Sequence, residues 1–258
     1  MSEFHPELSG PGAKAIGPSS PVVQALGWIR EFLSAEPQPD IASDAAKSAG
    51  ILAGTHLLHL ITGCGLLNGQ GHHSTAVVLL RPLEDALDCF AAVTLVSGSA
   101  DEWARRSLRP SDAAKLWTAR HTDAMQPETG TLPEYRKYLR GAFANYSHCS
   151  YDLCLWDLFL NPKERHPETG NYQGPLEPNL AGYVIDRNAH AIDAYLTAHL
   201  LEFIAIIRLA YTDELHARPH EDEQLATLEG QIRNIMERHA AHRCQEVRVP
   251  PEIARVNP

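Results

Sequence analysis

The segment that most constrains the fold is residues 72–96, HHSTAVVLLRPLEDALDCFAAVTLV. Its apolar residues recur on nearly all sides of the helix that it would form, and helices of this kind are central rather than peripheral. At about 100° per residue, four polar residues share one face of that helix, namely Arg81, Glu84, Asp85 and Asp88. The same line along the helix is apolar before and after them. The sequence therefore predicts a central helix that carries a bounded polar island.

This polar island is open to two interpretations. Burying three carboxylates with one arginine costs free energy unless partners or water reach them, so an island of this kind often lines a cleft. Alternatively, the face is locally exposed and its charges pair at i,i+3 and i,i+4 spacing. Pro82 lies inside the island. A proline removes one helical hydrogen bond, at a cost of roughly 3 kcal/mol, and here it predicts a kink at Arg81.

The rest of the chain is also patterned as helix. Apolar spacing and punctuation by Pro, Gly or Asp predict helices over 21–34, 41–68, 72–97, 100–107, 111–125, 133–160, 181–214 and 221–243. No strand is expected. The segments 41–68, 72–97, 133–160 and 181–214 would form a four-helix core, with short helices packed around it. The predicted fold class is all-α, a helical bundle.

The punctuation of the chain also predicts its domain organisation. Residues 1–19 are rich in Gly, Pro and Ser and are expected to be a flexible arm, which ends where Ser20 and Pro21 supply a helix cap and a first turn. One helical domain is expected over 20–245, followed by a tail over 246–258. Within it, the Pro- and Gly-rich stretch 161–180 is predicted to be a lid or a mobile insert outside the core.

Charge and cysteine content narrow the class of protein. The formal net charge of −10 opposes broad, non-specific contact with phosphate backbones, although a local basic patch remains compatible with it. The five cysteines are widely spaced and are expected to be reduced core thiols. The most apolar stretch, 51–67, is interrupted by two histidines and is expected to fall short of a membrane span. A cytoplasmic protein without membrane contact is the expectation.

A second candidate segment is the tyrosine-rich YRKYLRGAFANYSHCSYDLC, residues 135–154. Its aromatic residues line one helical face and are predicted to be structural. On the same wheel, His148 lies away from that face and Arg140 lies within about a quadrant of it. An imidazole can act as general acid or base near neutral pH, and a guanidinium can stabilise an anionic phosphorane. The alternative is a capping or surface histidine.

Together, LLRPLEDALD and the later helix ending in NYSH resemble a group of bacterial helical proteins related to the HEPN superfamily; the resemblance spans roughly residues 70–160. It implies a helical bundle, commonly a dimer, and many relatives are metal-independent ribonucleases of toxin–antitoxin or phage-defence systems. Such enzymes use an Arg and a His separated by about four to six residues. This chain departs from that spacing, because seven residues separate Arg140 from His148.

The resemblance implies a set of site residues. Asn145 would be the polar companion of His148, and Arg81 from the neighbouring helix would replace Arg140 as the cation, with Glu84 beside it. The resulting hypothesis is a homodimeric, metal-independent endoribonuclease that binds RNA through a local patch and has an antitoxin-like protein partner. The alternative hypothesis is a non-catalytic helical binding or dimerisation module in which the island is a structural Arg–carboxylate network.

Metal and cofactor sites are not expected. Three sets of residues have ligand-compatible spacing, namely His56 with His59, His72 with His73, and Asp186 with His190 and Asp193. Chance pairs of this kind are expected in a chain with 14 histidines. The sequence also lacks a phosphate-binding loop, a His-Glu-x-x-His helix, a Gly-x-Ser-x-Gly elbow and any Glu-x-x-His. Common nucleotide, zinc and di-iron enzymes are therefore disfavoured.

Overall fold

The computed structural model describes residues 20–35, 45–116, 158–159, 177–178 and 186–241. This part of the chain is all-α apart from one pair of very short strands. The helices are α1 Pro21–Ala35, α2 Ala45–Gly69, α3 His73–Leu95, α4 Ser99–Ala104, α5 Asp186–Ala210, α6 Thr212–His216 and α7 Pro219–Ala241. Residues 110–116 are also helical. The predicted fold class is confirmed.

Helix α1 begins as its sequence predicts. Pro21 occupies the first helical position, and the backbone N–H of Gln24 donates to the carbonyl of Ser20 at 3.0 Å. Proline suits this position because its fixed φ is already helical and its missing N–H would have no partner inside the helix. Farther along α1, the rings of Trp28 and Phe32 stack at 5.0 Å between centroids, and both side chains are buried in the core.

Helices α2 and α3 form an antiparallel hairpin. Its turn contains Gly71 at φ 77°, a left-handed conformation that glycine adopts without a side-chain penalty. Farther along, a Cβ built on Gly54 would lie 3.0 Å from Cε2 of Phe90. Only a glycine lets the two helices approach so closely at this level, and the hairpin is therefore tightly packed.

Helix α5 lies against this hairpin and runs in the same direction as α3. The Tyr195 hydroxyl lies 3.5 Å from the Leu80 carbonyl, and the rings of Phe90 and Phe203 meet edge to face at 4.9 Å between centroids. Helices α2, α3 and α5 supply three of the four predicted core helices. The fourth, 133–160, lies outside the described residues except at its end, so the four-helix arrangement stays a prediction.

That end differs from the prediction. Strand β1, Leu158–Phe159, pairs antiparallel with β2, Glu177–Pro178, so that Leu158 lies opposite Pro178 and Phe159 opposite Glu177. The expectation that the chain has no strand is wrong at these two short segments, and residues 158–159 are strand where the prediction places the end of a helix. Two residues are too few to show the alternation that predicts a strand, and the paired residues lie about twenty positions apart. Sequence periodicity therefore does not predict this pairing.

The predicted helix 181–214 is interrupted near its end. Tyr211, at φ −121° and ψ 36°, separates α5 from α6. Its buried ring packs edge to face on Phe32 at 5.3 Å between centroids. Seating the tyrosine against α1 supplies a packing reason for the break, and helical periodicity alone does not reveal it. Helix α7 then packs on α5, where Arg208 donates to Glu229 at 3.0 Å.

Helix α2 is more apolar than predicted. The stretch Ser48–Gly69 is long and apolar enough to cross a membrane by length and composition, with a mean hydropathy of 1.5, which corrects the expectation for 51–67. One such helix is weak evidence, because a core helix of a soluble protein passes the same test. Residues on one side of α2, such as Leu57 and Ile61, lie in the core, and the fold is compatible with a soluble protein.

Candidate functional site

The polar island of α3 is divided between the core and the surface. Glu84 and Asp88 are buried, whereas Arg81 and Asp85 are partly exposed. The guanidinium of Arg81 lies 3.2 Å from Oδ1 of Asp85 and 3.9 Å from Oε2 of Glu84. These are the i,i+4 and i,i+3 contacts that a helix allows. The island therefore combines features of both interpretations, with two carboxylates inside and one ion pair at the edge.

Pro82 lies within α3, and the helix continues through it. Both Pro82 and Val78, whose carbonyl loses its helical partner because of the proline, are exposed. Water can therefore reach the side of the helix on which that carbonyl lies, which reduces the cost of the proline. The kink at Arg81 stays a prediction.

Inside the bundle, Glu84 meets His199 of α5. The Nε2 atom of His199 lies 3.6 Å from Oε1 of Glu84, and both side chains are buried. The other ring nitrogen, Nδ1, donates to the Tyr195 carbonyl at 2.9 Å, since a carbonyl can only accept. At 3.6 Å the two atoms are close enough for a charge interaction but lie beyond the length of an ordinary hydrogen bond.

Two more acidic residues extend this buried region. Asp88 lies one turn after Glu84 on α3, and Glu202 lies one turn after His199 on α5. We call Arg81, Glu84, Asp85, Asp88, His199 and Glu202 the α3–α5 network. Sequence reasoning identified its α3 members and missed His199 and Glu202. The only local sign of these two residues was a His-x-x-Glu spacing within an otherwise apolar run of α5. That spacing does not show which helix packs against the two side chains.

A second buried polar group joins the α2–α3 turn to the start of α5. Asn68 donates from Nδ2 to Oδ1 of Asp193 at 2.7 Å and to the Ala189 carbonyl at 3.0 Å. Its Oδ1 then faces Nδ1 of His73 at 2.8 Å. The oxygen can only accept, which places a proton on Nδ1 of His73 and leaves Nε2 as the acceptor of a neutral ring. We call Asn68, His73 and Asp193 the turn clasp.

Burial perturbs the titration of this clasp. Desolvation, with a smaller contribution from His72, lowers the pKa of His73 to about 4. Desolvation raises the pKa of Asp193 to about 6, opposed by the hydrogen bond from Asn68 and by His190. Near the clasp, burial and then the charge of Asp193 raise the pKa of the Cys64 thiol to about 12. A thiol of this kind is not a nucleophile at neutral pH, in agreement with the predicted core role of Cys64.

The other predicted residues fall into three groups. His148, Asn145 and Arg140 lie outside the described residues, so their distance from Arg81 and Glu84 stays open. His56 and His59 are exposed on α2. His73 and Asp193, which the sequence placed in separate candidate sets, are brought together through Asn68. Over the ranges that the structure describes, no three His, Cys, Asp or Glu side chains are grouped so that they could hold a metal ion.

The two clusters differ in what they can do chemically. The α3–α5 network brings a buried carboxyl group within 3.6 Å of a buried imidazole, and it meets solvent through Arg81, whose side chain is 43% exposed. The turn clasp is a hydrogen-bonded connector between three helices. Comparison of the chain with protein-family models, with curated proteins and with solved structures finds no match.

Proposed function

We propose that the chain is a HEPN-like, non-catalytic helical binding and dimerisation module of the cytoplasm, in which the α3–α5 network is structural. The observation that carries this proposal is the Glu84–His199 pair, in which both side chains are buried between α3 and α5. A nuclease would require a histidine that substrate can reach and a positive potential beside it. His199, the histidine of this network, is buried, and Arg81 lies against two carboxyl groups, so the network itself has no histidine that a substrate could reach.

A metal-independent endoribonuclease of toxin or phage-defence type is the second candidate. The observation that favours it is the exposed part of the Arg81 guanidinium, which the carboxylates of α3 hold at the edge of the bundle. In this function Arg81 and Arg140 would stabilise the phosphorane, His148 would transfer the proton and Asn145 would orient it, with Glu84 fixing Arg81. RNA would be the substrate, and an antitoxin-like protein would be the partner.

One experiment separates the two functions. Wild type, Arg81→Lys and His148→Ala are incubated with a mixed RNA pool without metal, and folding is compared by circular dichroism. The module predicts background cleavage for all three proteins. It also predicts that Arg81→Lys lowers the free energy of unfolding by about 0.5–1 kcal/mol, because a half-exposed fork contact is lost.

Arg105→Lys is the matched control, since Arg105 is an exposed arginine after α4; it should leave stability unchanged. Cleavage by wild type that both Arg81→Lys and His148→Ala abolish, with folding intact, would establish the ribonuclease and contradict the module. Unchanged stability of Arg81→Lys would contradict a structural role of the network.

A further inference from the structure

Helix α2 presents an exposed face that contains no charged residue. From Ser48 to Gly69 the sequence has no Asp, Glu, Lys or Arg, although the chain has a net charge of −10. Only 39% of the most apolar window of this helix is buried. Leu52 and Leu66 are 55% and 62% exposed. The face is therefore suited to contact with another neutral, apolar surface.

The exposed residues of α2 follow a single line along the helix. Leu52, His59 and Leu66 are spaced by seven residues, and seven residues return to nearly the same face after two turns. Between them the line passes Thr55 and His56, and then Thr62 and Gly63. A Cβ built on Gly63 would meet no atom within 4 Å in the part of the chain that the structure describes, so there is room beside the helix.

The residues along this line are similar in type at equal distances on either side of His59. Leu52 and Leu66 lie at equal distances from His59, and so do Thr55 and Gly63, and His56 and Thr62. Two copies of α2 packed antiparallel would therefore bring large apolar residues together, small residues together and polar residues together. A two-fold interface requires this kind of symmetry, because each residue meets its counterpart twice.

We propose that the exposed face of α2, from Leu52 to Leu66, is the interface with a second copy of this chain, with α2 antiparallel to its counterpart and the two-fold axis at His59. The proposal rests on the module function and specifies its partner. Charge supports a second copy over other occupants, since two chains of net charge −10 repel each other least where neither presents a charge. At this face, Leu52 of each copy packs on Leu66 of the other.

The test is the molecular mass of the full chain by sedimentation equilibrium over a range of concentrations. Wild type should be a dimer. Leu66→Glu and Leu52→Glu should each raise the dissociation constant by about tenfold or more, because a carboxylate is buried against an apolar partner. Leu209→Glu, at a leucine of α5 that is 41% exposed, is the matched control and should leave the dimer intact.

Two further variants test the arrangement. The double variant Leu52→Glu with Leu66→Lys should restore the dimer, because antiparallel packing brings opposite charges together, whereas parallel packing would oppose like charges. His59→Lys should weaken the dimer and His59→Leu should tighten it, since the residue meets its own copy at the axis. The rescue by opposite charges depends on the antiparallel register, and opposite responses of the two His59 variants are not expected from a change in folding alone.

Several results would overturn this interface. Three of them are a monomeric wild type, a monomer that sediments with phosphatidylcholine vesicles, and a dimer unaffected by Leu66→Glu. The fourth is a Leu66→Glu variant that loses its helical circular dichroism, together with a double variant that stays monomeric. A monomer that cleaves no RNA would refute the interface and the dimerisation of the module. The structural role of the α3–α5 network is tested separately by the stability of Arg81→Lys, so the two failures are distinguishable.

Discussion

Burial changes the titration of Asp193. Its pKa rises from 3.8 to about 6 because it is buried, even though Asn68 donates to it. A carboxyl group whose pKa is higher in the folded protein than in the unfolded chain favours folding at low pH and loses that contribution as the pH rises through the folded value. At neutral pH, the charged Asp193 therefore costs stability.

We expect Asp193→Asn to raise the free energy of unfolding by up to about 2 kcal/mol at neutral pH, since the amide oxygen still accepts from Asn68 and no charge is buried. This advantage should shrink between about pH 6 and pH 4 as wild type takes up its proton. His73, whose pKa is lowered to about 4 from 6.5, destabilises both proteins over the same range as the pH falls, and cancels in the difference. Urea unfolding of both proteins at several pH values measures the difference between their free energies of unfolding. An advantage independent of pH would contradict this account.

At the residue scale, contacts within one helix could be predicted and contacts between helices could not. The pairing of Arg81 with Glu84 and Asp85 follows from helical spacing. The approach of His199 to Glu84 and of Asp193 to Asn68 joins residues more than a hundred positions apart. A single sequence does not reveal which distant residues form such a pair, because the contact depends on how α5 packs against the α2–α3 hairpin.

The α2–α3 hairpin depends on the conformation of its turn. Gly71 has φ 77°, and an alanine there would be strained. We expect Gly71→Ala to lower the free energy of unfolding by about 1 kcal/mol, because the left-handed conformation disfavours a side chain. Gly27→Ala, in the interior of α1 where no described atom lies within 4 Å of the new Cβ, should instead raise it by about 0.5–1 kcal/mol.

Chemical denaturation of the two variants beside wild type measures both changes. Each variant adds one methyl group, so changes of opposite sign in the free energy of unfolding would come from the backbone conformation at each position. Two losses of equal size would show that helix propensity and turn geometry do not govern these positions.

Most helix positions were predictable because long helices carry a strong apolar period. Helices α1, α2, α3 and α7 begin and end within a few residues of the prediction. The prediction failed where a tertiary contact competes with that period. The break at Tyr211 follows its packing on Phe32, and the short β1–β2 pair depends on segments that are distant in sequence.

At the scale of the whole molecule, the described helices separate their buried ionisable side chains from an exposed apolar face. Charged side chains lie within the bundle, at the α3–α5 network, whereas an uncharged helix face lies at the surface of α2. Composition indicated neither feature, because a net charge of −10 and ordinary hydrophobic content do not reveal where the charges lie. The α3 members could be predicted from helical spacing, whereas His199 and Glu202 become visible only once α3 and α5 are seen to pack side by side.

The parallel packing of α3 and α5 also has a consequence for the order of folding. Helices α2 and α3 are joined by a turn of three residues, 70–72, whereas Tyr195 meets Leu80 across 115 positions. Closing the longer loop costs more chain entropy before any contact compensates it. We expect the α2–α3 hairpin to form in the transition state and α5 to dock afterwards. Leu87→Ala on α3 and Ile204→Ala on α5, both buried, would test this order: only the α3 substitution should slow folding, and the α5 substitution should mainly speed unfolding.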